Sequence, residues 1–198
     1  RFSESLEWLL FHIPEDDLPQ SFVKTDKDSK VQLKISQNLE MEYLMKRMAN
    51  SGFDQDEILE VYNANNNDEH KTCVELTKML LPQPLESLAE PESQEIWNEE
   101  IEGLEMTGIP VKHEKNVATI KLEHNFLNVK IFKSENYPNE IPGIHIVVSK
   151  NEYTLANYIK LAIVRELLKY LTDHIGQCMI YTIFEWLNDH VNKIIEDR

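Results

Sequence analysis

Tyr137-Pro138-Asn139-Glu140-Ile141-Pro142 separates an alternating apolar stretch (Phe126, Val129, Ile131) from a β-branched run (Ile144, Ile146, Val147, Val148). The two prolines remove two backbone donors and fix φ at two points. Each also biases the residue before it towards extended conformations. Such a segment is neither a helix nor a central strand. It reads as an ordered, non-repetitive connection leading into a strand. Tyr137 is available as an aromatic anchor, either filling a corner of its own fold or meeting a partner.

Before this loop, hydrophobic periodicity predicts a helix near 94–104 with Ile96, Trp97, Ile101 and Leu104 on one stripe. Strands follow at 109–113, 117–122 and 126–132, joined by the polar turns Glu114-Lys115-Asn116 and Glu123-His124-Asn125. After the loop come a strand at 144–148, a helix at 155–172 with Thr154 as its expected N-cap, Gly176, and a last helix at 179–195. A helix, a four-stranded meander and two helices, with the full Tyr-Pro-x-x-x-Pro motif, resemble the RWD domain, a non-catalytic relative of the ubiquitin-conjugating fold. The resemblance assigns residues 95–198 to an α-β-β-β-β-α-α domain with its helices packed on an antiparallel sheet. It makes Tyr137, Pro138 and Pro142 the structural motif and implies a binding module. A conjugating enzyme would need a cysteine soon after the strand that follows the loop. Residues 143–160 hold none, and Cys178 comes too late; no catalytic residue is expected.

The first half reads as helical. Residues 1–38 are expected to hold a helix built on Leu6, Leu9, Leu10 and Ile13, ended by Pro14, and then a polar extended segment. Residues 39–81 predict three short helices, near 39–50, 55–64 and 68–81, with Asp54 and Asp68 as N-caps. Ser51-Gly52-Phe53 joins the first two, and the asparagine-rich run 63–67, tolerant of left-handed conformations, joins the last two. This arrangement resembles the UBA three-helix bundle. That likeness implies Ser51, Gly52, Phe53, Leu80 and Leu81 as candidate contacts for ubiquitin or another partner. Ser51 stands where the family usually places an apolar residue, so weak ubiquitin binding is expected, with the bundle serving chiefly for docking. Residues 82–94, acidic and carrying Pro82, Pro84 and Pro91, read as a linker.

Composition narrows the function classes. The net charge is −15, and its acidic excess is spread along the chain; non-specific phosphate binding is disfavoured. Lys112, Lys115, Lys121, Lys130 and Lys133 are the first place a basic stripe could form on folding. None of the five glycines forms a phosphate-cradling loop, so no nucleotide cofactor is expected in these residues. The seven histidines show no metal-ligand spacing, and two cysteines define no disulfide framework. No stretch approaches a membrane span. A chain that begins at Arg1 is expected to be a piece of something longer.

The opening Leu6-Glu7-Trp8-Leu9-Leu10 and Leu18-Pro19 segment, a UBA-like bundle and an RWD domain, in this order, are similar to the N-terminal region of certain DEAH-box RNA helicases. The resemblance implies a parent ATP-dependent RNA helicase: an ATP-binding hydrolase, cytoplasmic and ribosome-associated, with ATP, Mg and RNA handled outside these residues. The fragment itself would be a non-catalytic region docking the helicase on a ribonucleoprotein, the ribosome being the first candidate. The alternative of another class is a ubiquitin-pathway adaptor, with UBA for ubiquitin and RWD for a ligase or kinase.

Overall fold

The computed structural model describes residues 39, 41–82, 94–123, 126–149 and 154–197. The expected helix in residues 1–38, linker residues 83–93 and the hairpin residues His124 and Asn125 lie outside them. The chain divides into two compact units, Arg1–Tyr43 and Leu44–Arg198. From Leu44 onward, the helical bundle and the sheet with its helices therefore belong to one unit.

The bundle comprises α1 over 41–49, α2 (Gln55–Ala64) and α3 (Glu69–Lys78). Both expected caps form. The Asp54 carboxylate accepts from the Asp56 amide at 2.9 Å, and the Glu57 side chain reaches back to the Asp54 amide to complete a capping box. Asp68 accepts from the Lys71 amide at 3.0 Å. Asn66 and Asn67 take φ of 55° and 63°, the left-handed turn their side chains tolerate. Met48, Phe53, Ile58, Cys73, Val74 and Leu76 fill this part of the core. Ile58 is the buried residue of α2, and the neighbouring Leu59 is 42% exposed. Leu80 and Leu81 lie past the end of α3 and are half-buried.

α4 (Gln94–Met106) precedes four strands, β1 (Val111–Glu114), β2 (Val117–Lys121), β3 (Leu127–Phe132) and β4 (Gly143–Val148), all antiparallel neighbours in chain order. α5 (Asn157–Leu171) and α6 (Ile180–Glu196) follow. Pairing sets the two faces of the sheet: Ala118 opposes Ile131, Ile120 opposes Val129, and Ile144 and Ile146 oppose Ile131 and Val129. These side chains are fully buried with Trp97, Ile101 and Leu104 of α4, Ile163 and Leu167 of α5 and Ile183 and Leu187 of α6. Thr154 does not cap α5. Ala156 holds the cap position without a side-chain bond. The first turn of α5 is instead engaged with the α1–α2 turn, so tertiary packing and not a local cap fixes where the helix starts.

Tyr137 ties three elements together. Its ring is fully buried, edge-on to Trp97 with centroids 5.2 Å apart. Its hydroxyl donates to the Glu100 carboxylate of α4 and accepts from the Met179 amide at 2.7 Å. Glu100 also accepts from the amides of Ile180 and Tyr181, capping α6 from another helix. Burial pushes the Glu100 carboxyl above the ordinary carboxylate range, against the pull of these donors. Pro138 and Pro142 are buried beside it, and the Pro138 carbonyl accepts from the Gly176 amide at 2.9 Å. The loop is thus tied to the start of α6 and to the connection between the two C-terminal helices.

The other face of β4 is covered as well. Phe132, Gly143 and His145 face α3, and the Ile144 amide donates to Thr77 Oγ1 at 2.8 Å, while the Thr77 hydroxyl itself donates to the Cys73 carbonyl at 3.1 Å, nearer than the Ile144 carbonyl at 3.4 Å. A Cβ added at Gly143 would lie 3.0 Å from Val74 Cα and 3.1 Å from the Cys73 carbonyl oxygen, both backbone atoms of α3. The side chain is absent because the helix backbone occupies its place.

Two outcomes follow from this packing. Gly143→Ala should lower stability by about 1–3 kcal/mol, since neither contact can yield by a rotamer change. Gly103→Ala, in α4 with nothing within 4 Å of its Cβ, should raise stability by about 0.5–1 kcal/mol. Denaturant melts of both variants test the pair; equal shifts would disprove the close approach. Tyr137→Phe keeps the ring but leaves Glu100 and the Met179 amide each short of a partner. It should cost about 1–3 kcal/mol, and a melting curve matching wild type would show the hydroxyl to be dispensable.

Candidate interaction site

The Ser51-Gly52-Phe53 turn was the leading candidate for a partner contact, and the structure places it against the rest of its own unit. Ser51 and Phe53 are 2% and 4% exposed. Gly52 takes φ of 110°, and a Cβ there would fall 2.9 Å from the Asn157 carbonyl oxygen and 3.3 Å from Leu161. The Ser51 hydroxyl turns back onto the Met48 carbonyl. Lys160, 4% exposed, donates its Nζ to the Asn50 carbonyl at 2.8 Å, and burial lowers its pKa. An ammonium on an apolar helix face thereby meets the orphan carbonyl at the end of α1. Leu80 and Leu81 pack against the central core from the other end of α3. The five candidates therefore border one seam, along which the bundle is joined to α5 and β4.

His145 is the polar centre of that seam. Its Nε2–H donates to the Cys73 carbonyl at 3.0 Å, and its ring lies 5.5 Å from Phe53 and 5.1 Å from Phe132. Burial holds its pKa down to about 4, and the Lys130 charge acts in the same direction, while the bond to Cys73 opposes them. The imidazole is neutral at pH 7. His70 adds a second tie, its Nε2–H donating to the Lys133 carbonyl at 2.6 Å. Lys78 pairs with Glu140 of the proline loop at 2.6 Å.

Beside the seam, an open groove of about 830 Å³ separates the bundle from the uncovered part of the sheet. Arg47, His70, Lys112, Lys130 and Glu114 line it, so its charge is mixed. Register places Lys112, Lys121 and Lys130 on this outer face with Thr119. Arg47 is already paired with Glu69.

The chemistry available is that of binding. Cys73 is buried, with its thiol pushed up by burial and by Glu69. Cys178 is exposed, but partial burial, Glu100 and Glu99 raise its pKa, the reverse of what an activated thiolate needs. Among the described residues, no three His, Cys, Asp or Glu side chains group as metal ligands. No described helix is long and apolar enough to cross a membrane.

Sequence reasoning singles out neither Gly143 nor Lys160, places Thr77 on the apolar stripe of α3, and reads Glu99-Glu100 as a solvated face. Glu100 is instead half-buried and bonded to Tyr137, Ile180 and Tyr181. One signal pointed to Gly143: the run from that residue to Val148 lacks the polar alternation of a strand with one wet face. His145, which the sequence alone reads as a surface or capping histidine, is instead buried in this run and held by the Cys73 carbonyl. Lys160 and Glu100 carry no comparable mark, because their partners lie 110 and 80 residues away.

A histidine held below its ordinary pKa binds fewer protons folded than unfolded. Its stability contribution is complete above about pH 6.5 and is lost as pH falls towards 4. Between pH 7.5 and 4.5, wild type should lose about 2–3 kcal/mol more than His145→Gln in denaturant melts. Parallel losses in the two proteins would show that His145 is not the titrating group.

The sequence pattern of the RWD domain matches residues 13–191, a span that takes in the bundle as well as the sheet. The chain is 32% identical over 99% of its length to "Putative ATP-dependent RNA helicase YLR419W" of Saccharomyces cerevisiae. It is 28% identical over 98% of its length to "Putative ATP-dependent RNA helicase ucp12" of Schizosaccharomyces pombe. It spans only 14% and 15% of the lengths of those proteins. No solved structure matches it. With the pattern matched over most of its residues, the chain belongs to the RWD domain family.

Proposed function

We propose that this chain is the docking region of a cytoplasmic, DEAH-type, ATP-dependent RNA helicase, placing the motor on a ribonucleoprotein, with the ribosome as first candidate. RWD domains generally mediate protein–protein contacts, and the chain is such a domain in a protein distantly similar to RNA helicases. The observation that carries the reading is that both yeast relatives match nearly the whole chain, bundle and sheet together. ATP, Mg and RNA would be engaged by the motor, outside these residues. A net charge of −15 supports that division, because a motor's own basic channel would hold RNA better than this surface.

The ubiquitin-adaptor reading needs Ser51, Gly52 and Phe53 free, and that turn is spent on α5 and His145. Ubiquitin is therefore not part of the proposal. The test compares the full-length helicase with a form lacking residues 1–198. Basal ATPase of the purified proteins should agree within about twofold, while co-sedimentation with ribosomal particles in a sucrose gradient should fall at least fivefold. Unchanged sedimentation would overturn the docking role.

A further inference from the structure

On the face of α5 and α6 away from the seam, one local device occurs twice. His174 Nδ1–H donates to the Tyr170 carbonyl one turn back at 3.0 Å, and the two rings lie 4.4 Å apart. His190 Nδ1–H donates to the Trp186 carbonyl at 2.9 Å, and its ring stacks on the indole at 4.5 Å with planes 10° apart. Packing of the two helices brings the pairs together, with Tyr170 and Trp186 6.3 Å apart and their planes 26° from parallel. Four rings thus run in the order His174, Tyr170, Trp186, His190.

The core accounts for only part of this ladder: Trp186 packs half-buried against it. Leu167, Leu171, Ile183 and Leu187 already fill the space behind it, while Tyr170 remains 42% exposed and His190 is exposed. Each histidine is fixed by a bond to the carbonyl four residues before it, so the ring faces are ordered before any partner arrives, which lowers the cost of binding. Tyr170 is exposed and Trp186 half-buried, and tyrosine and tryptophan are among the side chains that most often anchor interfaces.

Charge selects the partner. Glu166, Asp173 and Asp189 lie within one helical turn of Tyr170 or Trp186 on the same faces. Glu166 is already paired with the nearby Lys169 at 2.8 Å, which leaves Asp173 and Asp189 as the carboxylates open to a partner. We propose that this ridge docks an arginine-bearing segment of a protein partner. A guanidinium at the Tyr170–Trp186 step would lie within about 6 Å of both ring centroids, the range over which a ring face attracts a cation. Being planar, it stacks where an ammonium cannot, and its fork pairs with the flanking carboxylates. Single-stranded RNA also stacks on aromatic ridges, but its phosphates would meet these carboxylates.

The inference deepens the docking reading and can fail alone, since sedimentation reads the whole region and a peptide titration reads the ridge. The probes are synthetic decapeptides alternating glycine with arginine, lysine or glutamate, and a decauridylate, titrated at pH 7.5 into the labelled 198-residue chain. The arginine peptide should shift the Trp186 indole and the His174 and His190 ring signals saturably. The lysine peptide should bind at least threefold more weakly, and the glutamate peptide and decauridylate should leave the ridge unshifted. Tyr170→Leu, at an exposed site, should weaken the arginine peptide at least fivefold with the melting temperature unchanged. Asp173→Asn with Asp189→Asn should weaken it at least twofold. Equal arginine and lysine affinities, shifts away from Trp186, tighter decauridylate binding at the ladder or no binding would each overturn the proposal.

Discussion

A helix backbone lies directly on a strand where α3 crosses β4, and most of the architecture follows from that contact. β4 carries Ile144 and Ile146 into the core beneath the sheet and turns Gly143 and His145 towards the bundle, all of them buried. A strand buried on both faces cannot satisfy a polar side chain with water. The single imidazole is therefore bonded to the Cys73 carbonyl and packed against two phenylalanines. Thr77 does the same for the edge of the strand: its hydroxyl takes the Ile144 amide, which has no further strand to pair with. Without the bundle, the sheet would expose Phe132, His145 and an unpaired amide. Without the sheet, Cys73, Val74 and Leu76 would lose the surface they bury. The two halves stabilise each other, and for that reason they form one compact unit.

The proline loop connects this contact to the opposite side of the molecule. Glu140 faces α3 through Lys78, while its carbonyl accepts from the Ser134 hydroxyl at 3.0 Å and holds the loop folded. Two residues before Asn139, Tyr137 points the other way, into the cluster of Trp97, Glu100 and the start of α6. A few residues without regular secondary structure thus meet α3 on one side and α4 and α6 on the other. Rigidity is what such a connection needs, and proline provides it by removing backbone freedom from the unfolded chain as well as from the folded one.

Local chemistry was legible in the sequence and long-range chemistry was not. Asp54 and Asp68 announce helix starts because a cap bonds within its own next turn, and the register of β2 with β3 follows from alternation that a hairpin preserves. The misplaced cap at Thr154 is instructive. A good capping residue lay within reach of an apolar helix, yet the helix starts at Asn157, where its first turn lies against Gly52 and Lys160 bonds the Asn50 carbonyl of the α1–α2 turn. Tertiary contact outweighed a cap worth about 1 kcal/mol. The candidate site was read in the same partial way. Ser51, Gly52 and Phe53 were identified as residues that meet something, and that something is this chain's own α5 and β4. The ladder's Tyr170/His174 and Trp186/His190 spacings stood in plain view, but only the pairing of α5 with α6 turns two one-turn pairs into a ridge.

Use of one surface for internal docking dictates where external docking can occur. Once α3 and the Gly-Phe turn have closed over β4 and α5, the bundle has no apolar face left at that turn, and the groove beside it carries acids and bases together. A groove of mixed charge exerts little net pull on a polyanion or a polycation at physiological ionic strength, where screening acts within about 8 Å. The ridge on α5 and α6 differs in both respects: its ring faces are ordered by their own helices, and carboxylates border it. An acidic chain of this kind repels RNA at long range and attracts basic protein surfaces.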